Sequence, residues 1–159
     1  MNGTHPEPTA GDGRPPWRRL VDSIWAVLTH PLVLVTVGGA VGSLLRFVVG
    51  QWVDTRFTVG GLPWGTFVVN VSGSFILGVL ALWVLERLPA EYRGLYLLFG
   101  TGFCGGFTTF STFEWETFKL VRDGSWLLAG VNVVGSFVCG FVGILAALFV
   151  VQGVLGRSA

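Results

Sequence analysis

Charge is scarce in this chain. Asp, Glu, Lys and Arg make up 12% of its 159 residues, where a soluble globular domain carries about a quarter. The scarcity is also uneven: residues 63–85, 94–113 and 124–156 hold no charged side chain, and 31–53 holds only Arg46. A bilayer core asks for roughly 20 apolar residues per helix, so each run is long enough to cross, and a soluble globular domain is excluded. Histidine is rarer still. His5 and His30 both stand outside these runs, which removes the usual general base from the membrane interior. An intramembrane protease built on Val71-Ser-Gly-Ser74 fails for that reason. The first run has no Asp or Glu, so it lacks the titratable carboxylate that a small four-helix drug/proton antiporter needs. Of cysteine there are two, Cys104 and Cys139, both inside apolar runs. They read as small buried apolar residues, not as a disulfide or a metal site. A net charge of +1 gives nucleic acid no basic surface to bind.

What is present is an all-α membrane protein of four transmembrane helices, at about 31–54, 63–87, 92–121 and 126–152, forming one membrane domain over 31–156. Residues 1–30 precede it. Residues 1–16 are rich in Gly, Pro and Thr and are expected to be disordered. Trp17 to Leu28 then places Leu20, Val21, Ile24, Trp25 and Leu28 on one helical face, with Arg18, Arg19 and Asp22 mostly elsewhere. That pattern predicts an amphipathic helix lying in the headgroup region. A cleaved signal peptide does not fit, because Asp22 interrupts the apolar run and His30-Pro31 is a poor cleavage context.

Positive residues normally mark the cytoplasmic face. Arg14, Arg18, Arg19, Arg87, Arg93 and Arg157 fall on the amino-terminal side, and Arg56, Lys119 and Arg122 on the other. The bias rests on the three arginines of the tail. Both a single orientation and insertion in two orientations are compatible with this count.

Glycine is abundant at 24 residues, and within the spans it lets helix backbones approach closely. Val69-Asn-Val-Ser-Gly-Ser-Phe-Ile-Leu-Gly78 in the second span recurs as Val131-Asn-Val-Val-Gly-Ser-Phe-Val-Cys-Gly140 in the fourth. Both copies run the same way, as in a parallel repeat. Asn70 and its counterpart Asn132 each offer an amide, either for a helix–helix hydrogen bond or, for Asn70 above all, as a donor facing an anion path. Arg46 lies about 10 Å from the end of its span at 1.5 Å per residue. It either snorkels to the surface or adds positive potential to an aqueous vestibule, where Glu116 is a possible ion-pair partner.

The most informative stretch is Gly102-Phe-Cys-Gly-Gly-Phe-Thr-Thr-Phe-Ser-Thr-Phe113. Gly105-Gly106 weakens a helix by roughly 1 kcal/mol per glycine, and a break there frees carbonyls at one half-helix end and N–H groups at the other. Carbonyls suit a cation, N–H groups an anion. Thr108, Thr109, Ser111 and Thr112 add hydroxyls, and the positive ring edges of Phe110 and Phe113 can meet an anion.

These residues resemble the CrcB/Fluc family of small bacterial fluoride channels. The match rests on Gly38-Gly-Ala-Val-Gly-Ser-Leu-Leu-Arg46, on Gly65-Thr-Phe-Val-Val-Asn-Val-Ser-Gly-Ser-Phe75, and on Gly102 to Phe113 followed by Glu116, and it covers about residues 35–153. The resemblance implies a multi-pass protein of the cell membrane, assembled as an antiparallel, dual-topology dimer. Each dimer has two fluoride pores, with the third helix of each chain broken at mid-membrane. It also implies a structural sodium ion that is not transported, held by the backbone carbonyls of Gly105 and Thr108. Phe110 and Phe113 would line the pore, Asn70 would donate to fluoride with Ser111 and Thr112 as hydroxyl partners, and Arg46 would stand at the vestibule. Where the family usually has a fourth-helix tyrosine, this chain has Asn132. The implied role is passive fluoride export, not enzymatic catalysis. The remaining alternatives are a non-conducting or half-active subunit of a heterodimer with a paralogue, and the antiporter already disfavoured.

Overall fold

The computed structural model describes residues 14–57 and 59–155. The disorder expected for the tail lies outside these residues as far as position 13, and Pro16 already begins a helix. Among the described residues the secondary structure is helical throughout, with no strand.

Proline opens the first two helices. In α1, Pro16–Leu28, and α2, Pro31–Arg56, it occupies the first turn, where its fixed φ fits and its missing N–H costs nothing. His30 caps α2, its Nδ1 accepting from the Leu32 N–H at 3.3 Å. The chain leaves α2 through Gly60 and Gly61, whose φ values of 74° and 71° are left-handed and favour glycine. It then enters α3, Trp64–Leu85, the last turn of which is widened over Ala81–Leu85. The next rod, α4, spans residues 93–107 and is also wide-turned over Tyr96–Cys104. After two extended residues comes α5, Phe110–Arg122. Its end is a Schellman turn: the Ser125 N–H bonds to the Leu120 carbonyl at 2.8 Å and the Gly124 N–H to that of Val121 at 3.0 Å, with Gly124 at φ 78°. The last helix is α6, Trp126–Leu155.

Glycines set the packing. A Cβ on Gly38 would strike the backbone of Leu98 and Phe103, one on Gly42 that of Phe103 and Phe107, and one on Gly106 that of Gly39. So α2 and α4 cross backbone to backbone, which supplies van der Waals contact where lipid removes the hydrophobic drive. Helices α3 and α6 run parallel: Trp64 and Phe67 meet the Val131–Gly135 stretch, a Cβ on Gly143 would lie 3.2 Å from the Val71 carbonyl, and one on Gly78 would lie 2.9 Å from the Ala147 Cβ. Contacts advance together along both helices, so the two copies of the internal repeat face the same way.

Among the described residues, α2, α3 and α6 are each long and apolar enough to cross a membrane, and their outward faces carry exposed rings such as Phe137 and Phe149. The chain is a multi-pass membrane protein. Rods α4 and α5 are separated where the sequence expects a broken helix, but two residues later than the Gly105-Gly106 pair. Gly105–Phe107 is helical, and the extended residues are Thr108 (φ −77°, ψ 158°) and Thr109 (φ −149°, ψ 121°). The correction has a packing cause. Gly106 is small so that α4 can touch Gly39, not so that α4 can end there. The β-branched threonines accept extended backbone readily.

Candidate functional site

The site is built around the Thr108–Thr109 break, and the groups that the break frees are caught by side chains from other helices. Asn70 of α3 takes both sides of Thr109: its Nδ2 donates to the Thr109 carbonyl at 3.0 Å, and its Oδ1 accepts from the Thr109 N–H at 2.7 Å. From α2, Ser43 Oγ donates to the Gly106 carbonyl and Arg46 Nη1 to the Thr108 carbonyl, each at 3.4 Å. Thr108 Oγ1 turns back to the Cys104 carbonyl at 2.9 Å. Thr109 caps α5, its Oγ1 accepting from the Thr112 N–H at 3.3 Å and lying 3.0 Å from Thr112 Oγ1. Irregular backbone at membrane depth persists only when its polar groups are satisfied in this way.

Helix α5 then divides two clefts. On one face Phe110, Phe113, Thr117 and Phe118 join Asn70, Ser136 and Phe137 around a cleft of about 660 Å³. Its wall is largely apolar and aromatic, interrupted by the Asn70 amide, the hydroxyls of Thr117 and Ser136, and the Glu114 carboxylate. Phe110 and Phe113 are one turn apart with ring centroids at 6.0 Å and planes at 36°, and Phe110 is 70% exposed. On the other face Thr109, Thr112 and Glu116 join Ser43, Arg46, Asp54 and Thr66 around a polar cleft of about 260 Å³.

The structure therefore brings Asn70, Phe110 and Phe113 together, and separately Arg46 and Thr112. Ser111 is exposed at the start of α5 and lines neither cleft. The Arg46 guanidinium is turned onto the break, 3.4 Å from the Thr108 carbonyl oxygen. It does not pair with Glu116, which makes no ion pair among the described residues. Glu116 shares the polar cleft with Thr66, and its Oε2 is buried without a partner.

Gly105 and Thr108 can be tested as cation donors. In an unbroken helix the Thr109 N–H would bond back to the Gly105 carbonyl. Asn70 has taken that N–H, so the carbonyl is released, and Gly105 faces open space. Two backbone oxygens at a half-helix C-terminal end suit a small hard cation. Such cations gather about six oxygens, so one chain does not close the shell, and Arg46 shares the Thr108 oxygen. Among the described residues, no group of three acidic, histidine or cysteine side chains competes as a metal site.

Three residues escaped sequence reasoning. Thr117 Oγ1 accepts from Asn132 Nδ2 at 2.9 Å, so Asn70 and its repeat counterpart Asn132 both hold the broken segment. Ser136 Oγ is buried with no partner at the edge of the aromatic cleft; its signal was the repeat, in which it matches Ser74. Asp54 Oδ1 accepts from the Gly65 N–H at 2.7 Å and so fixes the start of α3, a contact with no local sequence signal.

A family model described as CrcB-like protein, Camphor Resistance (CrcB), matches residues 33–156. The chain is 43% identical over 120 residues to the fluoride-specific ion channel FluC of Rhizobium leguminosarum bv. trifolii (strain WSM2304), covering 76% of this chain and 94% of that protein. It is 44% identical over 114 residues to the FluC of Solibacter usitatus, covering 70% and 90%. To the FluC of Methanocaldococcus jannaschii it is 44% identical over 126 residues, covering 76% and 97%.

Proposed function

The chain belongs to the CrcB family, and from that premise we propose that it is a fluoride-selective channel passing the ion passively out across the cell membrane. The observation that carries the reading is the aromatic cleft: Asn70, Phe110 and Phe113 of the family's motifs meet on one wall beside the break. Fluoride is small and strongly hydrated, so a path must replace its water with donors. A fixed deep cation would hold it too tightly to release, whereas ring edges, an amide and hydroxyls give weak successive sites. Asn70 has one N–H left after bonding Thr109, Phe110 and Phe113 offer edges, and Ser136 supplies the hydroxyl from α6. Arg46 supplies the positive potential of the vestibule, in a polar cleft that also holds Thr112 and the acids Asp54 and Glu116; Ser111 is left to a subunit contact or the pore mouth. An inside-negative potential then drives the ion outward, lowering internal fluoride.

In this account α4 and α5 together make the third of four spans, and two copies assemble antiparallel. The exposed Phe110 of each chain is then covered by the other. Gly105 and Thr108 from both copies would hold the structural sodium ion, which would tie the copies together away from the fluoride path and would not be carried. One observation favours a second arrangement: the amino-terminal arginines tilt the charge count toward a single orientation, which suits a heterodimer with an oppositely inserted paralogue.

The test is the reversal potential of the purified protein in planar bilayers under opposed fluoride and chloride gradients. The reading expects it at the fluoride equilibrium potential. A value near the chloride potential removes selectivity, and current only with a co-expressed paralogue selects the heterodimer.

A further inference from the structure

Helix α1 lies outside the family match, which begins at residue 33. It has no buried residue. At 100° per residue, Trp17, Leu20, Val21, Ile24 and Leu28 form one continuous apolar arc flanked by Trp25 and Val27, and Arg18, Arg19, Asp22 and Ser23 occupy the rest. Trp17 and Trp25 are 60% and 62% exposed, a cost in water that an indole at a headgroup boundary does not incur.

Three further observations say what covers this face. First, position is fixed by covalent connection. Only Thr29 and His30 separate α1 from α2, a membrane-spanning candidate. Thr29 closes α1 by donating Oγ1 to the Trp25 carbonyl at 2.7 Å, and His30 is extended at ψ 132°. The helix therefore ends at the membrane surface and does not run on as part of the span. Second, Arg14 pairs with Asp22, the only acid on α1, at 2.9 Å. Arg18 then adds a positive charge to the polar side. Third, the Arg18 guanidinium lies 5.0 Å from the Trp17 ring centroid, so cation and indole sit at one level, as an interfacial helix requires.

We propose that α1 is a membrane-surface anchor whose apolar arc enters the headgroup–acyl boundary of a leaflet rich in anionic lipid, with Arg18 on the lipid phosphates. This stands independently of what the spans conduct. Seated there, α1 ties the amino-terminal side to one leaflet, and its arginines are the ones that tip the charge count of an otherwise nearly even chain.

The test uses the full chain in a Cys104→Ala, Cys139→Ala background, with a nitroxide on Ile24→Cys, on Leu20→Cys as a second apolar position, and on Ser23→Cys. Proteoliposomes contain phosphatidylcholine alone or with phosphatidylglycerol, and each label's relaxation by oxygen and by a water-soluble nickel chelate is measured. With phosphatidylglycerol, the labels at 20 and 24 are expected to gain oxygen contact and lose nickel contact several-fold relative to 23. The contrast should shrink in phosphatidylcholine alone or at high salt. Equal accessibility at the three positions overturns the anchor, and a contrast indifferent to lipid charge and salt overturns its anionic specificity. Spin–spin broadening at 24 that disappears on dilution with unlabelled protein assigns the arc to a second copy, and the proposal falls.

Discussion

Asn70 and Thr109, 39 residues apart in sequence, are joined by two hydrogen bonds at 2.7 and 3.0 Å. A single side-chain amide supplies both the acceptor and the donor that the interrupted helix leaves unmatched. Asn70 is thus the strut of the break before it is part of any path, and its one unspent N–H points the two roles at the same place.

Asn70→Asp keeps the shape and the acceptor but loses the donor, setting a carboxylate against the Thr109 carbonyl. An unmatched buried group costs about 1–3 kcal/mol, and the added negative charge repels an anion. Fluoride flux should be abolished and the melting temperature in detergent lowered, while the size-exclusion position of the assembled protein stays the same. Wild-type flux from Asn70→Asp would remove this residue from the path.

The paired rings make a separate demand. Phe110→Ile and Phe113→Ile preserve apolar bulk but remove the electropositive edge. Each should cut fluoride flux by at least tenfold in vesicles, with assembly unaffected. Normal rates in both would reduce the pair to packing.

Ser136 and Ser72 provide a contrast between hydroxyls. Ser72 Oγ is spent on the Val68 and Val69 carbonyls at 2.6 and 3.2 Å, whereas Ser136 Oγ has no partner. Ser136→Ala should slow fluoride efflux several-fold, and Ser72→Ala should leave it near wild type. The same assay reads both, and a reversed order would count against the path along α6.

Stability should divide the glycines by what stands opposite them. Gly106→Ala drives a methyl into the Gly39 backbone, while Gly130 has nothing within 4 Å. Overpacking of this kind costs about 1–3 kcal/mol, and replacing glycine in an open helix position returns up to about 1 kcal/mol. Thermal unfolding in detergent should therefore fall for Gly106→Ala and hold or rise for Gly130→Ala.

How much of this was legible beforehand follows from the range of the interactions. The three long apolar helices could be read because charge is scarce over whole runs, and α1 because its apolar residues recur at helical spacing. The position of the break could not be read so well. Propensity places it at Gly105-Gly106, but Gly106 serves a crossing with Gly39, a residue far away in sequence. For the same reason the sequence left Arg46 between the surface and a vestibule, and its approach to the Thr108 carbonyl shows only once α4 lies beside α2. Thr112 and Phe113 are neighbours in the motif yet open onto different clefts, because 100° per residue carries adjacent side chains to different faces. Ser136 was within reach through the repeat, whose second copy places it opposite the role of Ser74.

The most direct measurement is fluoride efflux, followed with a fluoride electrode, from vesicles containing only this protein and a parallel chloride load. The account predicts rapid fluoride release that Phe110→Ile stops, with chloride retained. Vesicles that keep their fluoride, both alone and with a co-reconstituted paralogue, would contradict it.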